Sequence, residues 1–322
     1  MNRLLGEGTV EERAEEKIRA LELTREFLEI TDALRENGIE FIPLKGPLLS
    51  YRLHGDSTVR YFGDADILVA LESVDKAAEV LTGMGYLPTS GSWPVNSRKR
   101  RILTTHANEL EFRHTVKQLT VELHWRLLKV PVVSNERLER IIWENSEHIT
   151  FSGREFRVMK PEMELLYLMI HGGWHWWHRL KWLVDIKDYL EKMPIDAGRF
   201  NELMIELKAE RMVGLCNAML REYLPDSGLL PAEGVEKGFM SRFCRKRIAS
   251  HSEPLHDFFG RAFGSVWYSL VSFPGVHYKL KMIRMYLFVP AYFRKNRILS
   301  TLPLFYIYGP VKLLANRLRE MR

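Results

Sequence analysis

The chain has 322 residues and a formal net charge of +6, and 46% of its residues are hydrophobic. This length allows a sizeable core and favours two domains, while the two distant cysteines, Cys216 and Cys244, exclude a disulfide scaffold and a zinc knuckle. The first residues lack a signal-peptide pattern, and no charge-free run reaches the ~20 apolar residues that span a bilayer. We therefore expect a cytoplasmic protein.

The first half of the chain alternates between helical and strand patterns. Apolar spacing and Gly/Pro signals predict helices over 10–37, 47–53 and 73–83, and strands over 39–44 and 64–70. Alternating residues predict a hairpin over 109–125 and a second strand pair over 148–151 and 155–159. Helical periodicity dominates after Lys160-Pro161. We expect an α/β domain over residues 1–160 and a mostly helical domain over residues 161–322.

Two acids stand at the start of a predicted core strand. Asp64 and Asp66 precede the apolar run Ile67-Leu68-Val69-Ala70. Because side chains alternate across a strand, the two carboxylates point to the same side. Neighbouring carboxylates repel each other and lose solvation, and a divalent metal is the usual compensation. Mg²⁺ prefers carboxylate oxygens together with substrate phosphates. The pair therefore predicts a metal-assisted reaction at a phosphate.

A two-metal site of this kind needs a third carboxylate near the aspartate pair. Glu122 is the best candidate, since it shares one face of an apolar strand with His124, where an unpaired acid is costly. Glu109 and Glu111 on the preceding strand are rivals. They rank lower because their alternation with apolar residues is also typical of a solvated face.

Five sequence elements, in this order, resemble one known superfamily. They are Leu44-Lys45-Gly46, Arg60, Asp64-Ala65-Asp66, Glu122-Leu123-His124-Trp125 and Trp182-Leu183-Val184-Asp185. The set is similar to the DNA-polymerase-β-like nucleotidyltransferases, and in particular to their uncharacterised bacterial branch. The similarity spans roughly residues 20–190.

The resemblance implies both a fold and an activity. The fold class is α+β, with an N-terminal mixed-sheet nucleotidyltransferase domain followed by a mostly α-helical C-terminal domain. Asp64, Asp66 and Glu122 would be catalytic and would bind two Mg²⁺ ions. The enzyme would transfer a nucleoside monophosphate from an NTP such as ATP to an acceptor hydroxyl, with release of pyrophosphate. A small molecule, a protein side chain and an RNA end all remain open as acceptors.

The resemblance also assigns the triphosphate to Lys45, Gly46 and Arg60. Many superfamily members have Gly-Ser or Gly-Gly where this chain has Lys45-Gly46-Pro47. Gly46 keeps the close backbone approach, and Lys45 would make the phosphate contact of the serine at a helix start. Two alternatives stay open: a solvated Lys45, and a local salt bridge from Arg60 to the aspartate pair.

His124 and Asp185 complete the expected substrate-contacting set. His124 either borders the metal site directly or hydrogen-bonds to one of its ligands. Asp185 either contacts the ligand or orients a histidine, and its alternative is a helix cap or a salt bridge with Lys181 or Arg179.

Three histidines, His171, His175 and His178, have the spacing of one helical face, which also occurs among metal ligands. However, Gly172-Gly173 weakens a helix, and no glutamate follows His171 as in zinc proteases. The neighbouring tryptophans favour a packed interface. A wall of the substrate cleft is a further alternative.

Positive charge is concentrated in two segments. The predicted loop 97–101 is either solvated or attracts a polyanion. Residues 279–322 contain ten lysines and arginines against one glutamate, and either pack on the protein or contact a membrane surface peripherally. The chain lacks a recognisable nucleic-acid motif. Two competing functions are therefore an inactive nucleotide-binding or regulatory module, and a peripheral membrane or assembly protein that acts through this tail.

Overall fold

The computed structural model describes residues 10–89, 93, 97–130, 132–228, 230, 238–249 and 258–287. These residues form two compact units, which we describe separately. The sheet unit takes its described residues from Glu22–Gly46, Phe62–Val130 and Leu280–Arg322. The helical unit takes its described residues from Met1–Leu21, Pro47–Tyr61 and Pro131–Lys279.

The sheet unit contains a mixed sheet of five strands. In chain order these are β1 (Phe41–Pro43), β2 (Asp64–Val69), β3 (Tyr86–Pro88), β4 (Glu109–His114) and β5 (Thr120–His124). Their order across the sheet is β1-β2-β5-β4-β3. The central pair, β2 and β5, is parallel, and the other three pairs are antiparallel. A parallel pair requires a long connection, and the chain between β2 and β5 supplies it with two helices and two strands.

Helices cover this sheet because alternate residues of its strands are apolar. The helices are α1 (Val10–Glu36), which contributes to both units, α3 (Val74–Gly83) and α4 (Ser97–His106). α3 packs against β5, and its residues Ala77, Ala78 and Leu81 are buried. Glu26 of α1 accepts hydrogen bonds from the backbone N–H groups of Gln118 and Leu119, which fixes the start of β5.

The helical unit contains a two-stranded hairpin and the remaining helices. The hairpin strands are β6 (Ser146–Phe151) and β7 (Arg154–Met159). The helices are α2 (Pro47–His54), α5 (Asn135–Glu144), α6 (Pro161–Trp174), α7 (Lys181–Lys192), α8 (Ala197–Glu206), α9 (Glu210–Tyr223), α10 (Phe239–Ala249), α11 (Phe258–Ser272) and α12 (Val276–Leu287), the last contributing to both units. α6 is the centre of this unit: ten of its residues are buried, and it packs against α7, α8 and α9. A helix that is apolar all round is stable only when surrounded in this way.

A buried charged cluster joins α2 to the hairpin and to α6 and α7. Arg52 donates to Glu164, to Glu147 Oε1 at 2.9 Å and to the carbonyl oxygen of Met159 at 2.9 Å. The hydroxyl of Tyr189 donates to Glu164 Oε2 at 2.7 Å. Burial raises the pKa of Glu164, and the charge of Arg52 opposes that rise. The cluster therefore depends on Arg52 and Glu164 together, since either of them alone would be a buried unpaired charge.

The structure confirms the predicted α+β fold class, with its mixed sheet and its helical second part. The basic segment 97–101, predicted as a loop, belongs to α4. Arginine and lysine are strong helix formers, and that preference decides the local structure here. The predicted domains, 1–160 and 161–322, stay a prediction. Most of the basic tail 279–322 lies outside the described residues.

Within the part of the chain that the structure describes, no helix is both long and apolar enough to cross a membrane.

We expect Arg52→Ala to lower the free energy of unfolding by about 3–5 kcal/mol, because it leaves Glu164 buried without its cation. Tyr189→Phe should cost about 1.5–3 kcal/mol, the worth of one hydrogen bond to a charged group. Urea denaturation followed by circular dichroism measures both values. Arg137→Ala is the matched control: it breaks the exposed pair with Glu206, with N and O 2.9 Å apart, and should cost less than about 1 kcal/mol. Equal losses for Arg52→Ala and Arg137→Ala would contradict the account.

Candidate metal centre

The parallel pairing of β2 and β5 places the predicted acids beside one another. Asp66 lies opposite Glu122 in the register, and Asp64 lies opposite Thr120. Because side chains alternate along both strands, Asp64, Asp66, Glu122 and His124 lie on one face of the sheet. The other face carries Ala65, Ile67, Val69, Val121 and Leu123, all of which are buried. This alternation is the local reason that an apolar core strand can carry acids.

Asp66 is the most buried acid of this face, with 2% of its side chain exposed. Its Oδ1 lies 3.2 Å from Nε2 of His124, and its Oδ2 lies 3.3 Å from Nζ of Lys45. The backbone N–H of Leu44 donates to the carbonyl oxygen of Asp66 at 2.9 Å, which holds the Lys45 segment alongside β2. Both carboxylate oxygens therefore face a nitrogen of a basic side chain.

His124 is the residue around which the carboxylates gather. Besides Asp66, its Nε2 lies 3.5 Å from Glu122 Oε2, and its Nδ1 lies 3.3 Å from Glu109 Oε2 without hydrogen-bond geometry. Burial by itself lowers the pKa of this imidazole, but the hydrogen bonds with Asp66 and Glu122 outweigh burial and raise it to about 9. The metal-free site thus favours the imidazolium form.

The pKa of Glu122 is raised as well. The hydrogen bond from His124 lowers its pKa, but burial and the charge of Asp66 together outweigh that bond and raise the pKa to about 7. Glu122 lies opposite the carboxylate of Asp66, and two like charges this close disfavour ionisation of both. A positive charge in the site is therefore required to keep both acids ionised.

Asp66, Glu122 and His124 form the one group of potential metal ligands found among the described residues, with ligand atoms all within 4.8 Å of one another. Two carboxylate oxygens and an imidazole nitrogen are donors that divalent cations accept. The chemistry of this donor set therefore fits a divalent ion. Asp64 lies on the same face, but its carboxylate does not belong to this group. Its predicted role as a metal ligand stays a prediction.

Gly46 has a local conformational reason for being glycine. Its φ is +75°, a left-handed conformation that other residues adopt with strain, and a Cβ there would lie 3.8 Å from the carbonyl oxygen of Asp64. The reversal at Gly46 ends the segment that carries Lys45 beside Asp66. The predicted approach of Gly46 to a phosphate stays a prediction.

Arg60 and Asp185 form a bidentate ion pair within the helical unit. Nε of Arg60 lies 2.8 Å from Oδ1 of Asp185, and NH2 lies 3.0 Å from Oδ2. Such fork-to-fork pairs are strong and geometrically specific. Each residue forms a salt bridge, but with the other one, 125 positions away, and not with the nearby residues that the sequence suggested. The nucleotide-contact roles of both residues stay predictions.

The histidine cluster packs around one tryptophan. The ring centroids of His171, His175 and His178 lie 5.3, 5.6 and 4.9 Å from that of Trp182. No metal-ligand group includes these histidines in the described part of the chain, so the packed-interface interpretation fits the geometry. Gly172 is required next to this cluster, because a Cβ there would lie 2.2 Å from the buried ring of Trp177.

Arg126, two positions beyond His124, is a buried cation that the sequence motifs do not include. Burial lowers its pKa to about 10, and its NH2 group donates to the carbonyl oxygens of Thr105 and Ala107. The alternation of Glu122, His124 and Arg126 along the chain was a signal that could have drawn attention to it. Glu109 ranks low from its alternating pattern, yet its Oε2 lies 3.3 Å from Nδ1 of His124.

Comparison with known proteins agrees with the resemblance seen in the sequence. No curated protein matches the chain. Among solved structures, the crystal structure of the lincosamide antibiotic adenylyltransferase LnuA with lincomycin bound is similar at 16% identity, covering 51% of this chain and 94% of that one. Its TM-score is 0.36, and no conclusion about this chain rests on it. A family model described as an uncharacterised nucleotidyltransferase matches residues 10–225, well over half of the sequence, so the chain belongs to this nucleotidyltransferase family.

Proposed function

We propose that this protein is a Mg²⁺-dependent enzyme that transfers a nucleoside monophosphate from an NTP to an acceptor hydroxyl. The observation that carries the proposal is the convergence of Asp66, Glu122 and His124 in a chain of a nucleotidyltransferase family. An isolated cluster of acids would be weak support. The position of this one on the central parallel strands of a mixed sheet makes it specific, because the fold holds the donors in place.

The reaction balances without a further reactant. The acceptor hydroxyl loses its proton to solvent as its oxygen forms a bond to the α-phosphorus, the bond from that phosphorus to the bridging oxygen of the β-phosphate breaks, and pyrophosphate leaves. A bound divalent ion would supply Lewis-acid stabilisation to the phosphate oxygens. Asp66 and Glu122 would hold the ion, with Asp64 as the third predicted carboxylate. The two-ion arrangement is implied by the sequence resemblance and stays a prediction.

Contacts with the triphosphate are proposed from the sequence motifs. Lys45, Gly46 and His124 would make them in the sheet unit, and Arg60 and Asp185 would make them in the helical unit. The acceptor class and the base preference are unassigned, and the cytoplasm is the proposed location. An inactive module is disfavoured because it would gain nothing from clustered acids, which are costly when buried.

We expect the wild-type protein to release pyrophosphate from at least one NTP when Mg²⁺ and a suitable hydroxyl acceptor are present. Asp66→Asn should lower the rate at least about 100-fold, since a catalytic metal contributes several kcal/mol to the transition state. The assay screens the four NTPs against small-molecule, protein and RNA acceptors.

Glu79→Gln is the matched control for this assay, because Glu79 is an exposed acid on α3 away from the cluster. It should retain the wild-type rate. Undiminished release by Asp66→Asn would show that the site is wrongly placed. Nucleotide binding without release across the whole panel would favour the inactive-module alternative.

A pH dependence of stability follows from the raised pKa of His124. The folded protein holds this proton up to a pKa of about 9, whereas an ordinary histidine loses it near 6.5. The stabilisation is therefore complete below that ordinary value and is lost as the pH rises through about 9. We expect the Tm of the wild-type protein in EDTA to fall more steeply over this window than the Tm of His124→Gln, as measured by differential scanning fluorimetry.

Added Mn²⁺ should raise the wild-type Tm more at the alkaline end of this window, because imidazole binds a metal only in its neutral form. Parallel Tm profiles for wild type and His124→Gln would contradict the geometry of the cluster.

A further inference from the structure

Lys45 is a buried cation in direct contact with the carboxylate of Asp66. Its ammonium group lies 3.3 Å from Oδ2 of Asp66, and the side chains of the two residues are only 9% and 2% exposed. The other oxygen of the same carboxylate faces His124 at 3.2 Å. The carboxylate of Asp66 therefore contacts the ammonium of Lys45 through one oxygen and His124, a potential metal ligand, through the other.

The backbone holds Lys45 in this position from both sides. The residue before it is tied to β2 by the hydrogen bond from Leu44 N–H to the carbonyl oxygen of Asp66, 2.9 Å long. The residue after it, Gly46, reverses the chain with a φ of +75°. A buried ammonium is costly unless it is paired. Moving Lys45 off Asp66 would thus break a buried ion pair, which is costly.

Two-metal sites place their ions about 3.5–4 Å apart and need a carboxylate that serves both. Asp66 is the carboxylate suited to this task, because it is opposite Glu122 and contacts His124. A second ion on Oδ2 would come within a few ångströms of the Lys45 ammonium. The repulsion in such a poorly hydrated place is strong.

We propose that Lys45 is a built-in cation of the cluster, and that Asp66, Glu122 and His124 take a single divalent ion on the side of Oδ1. Lys45 then replaces one of the two ions that the sequence resemblance implies. Mn²⁺ shares the preference of Mg²⁺ for carboxylate oxygens and is paramagnetic, so it can replace Mg²⁺ as the probe of this site. The inference rests on the metal-binding part of the proposed function and is independent of turnover.

The test is a titration of the protein with Mn²⁺ alone. Electron paramagnetic resonance of the free ion and calorimetry measure the stoichiometry and the affinity. The wild-type protein should bind one Mn²⁺ per chain in the cluster. Lys45→Met removes the competing cation at nearly constant volume, and should bind Mn²⁺ at least tenfold more tightly or take a second ion. Lys45→Arg keeps the charge and should behave like the wild type.

Two results would overturn the inference. The first is that the wild type binds two Mn²⁺ ions and that Asp66→Asn abolishes the binding of both. The second is that a folded Lys45→Met binds Mn²⁺ with the affinity and stoichiometry of the wild type. If Lys45→Met does not fold, the wild-type stoichiometry decides. Failure of the proposed function is distinguishable, because pyrophosphate release would then be absent while one Asp66-dependent Mn²⁺ site remains.

Discussion

The burial of Asp66 on the central parallel strand pair is the constraint on which the rest of the site depends. A carboxylate with 2% exposure is stable only beside compensating positive charge. Lys45, which follows β1, and His124, on β5, provide this positive charge. The register of β2 with β5 places a second acid, Glu122, directly opposite Asp66. The sheet thus places two carboxylates side by side, and nearby cations must offset their negative charge. We propose that a divalent ion with its bound phosphates adds to this positive charge, in keeping with the family to which the chain belongs.

The scaffold around this pair is consistent with that role. The strand carrying Glu122 is fixed at its start by Glu26, whose carboxylate accepts two backbone N–H groups. The apolar face of the same strands packs against α3. Functional side chains on strands are positioned more accurately than side chains on loops. This placement also explains the raised pKa values: that of Glu122 follows from burial and the charge of Asp66, and that of His124 from its hydrogen bonds with Asp66 and Glu122.

Much of this was predictable from local sequence patterns. The acids of β2 and β5 were identified because alternation in an apolar strand makes a charged residue conspicuous. Long-range pairings were not predictable. The bond of Arg60 to Asp185 and that of Arg52 to Glu164 join residues more than 100 positions apart, and tertiary packing alone selects such partners. The prediction of a loop over 97–101 is wrong. It rests on the charge of this segment, whereas the high helix propensity of arginine and lysine explains why the segment is part of α4.

The central claim is that Asp66, Glu122 and His124 form the metal centre of a nucleotidyltransferase. Anomalous diffraction from crystals soaked in Mn²⁺ with a non-hydrolysable NTP tests it most directly. The account predicts a strong anomalous peak within coordination distance of all three side chains, with the triphosphate bound to the same ion. A peak elsewhere, or a nucleotide bound without any metal at these residues, would contradict it.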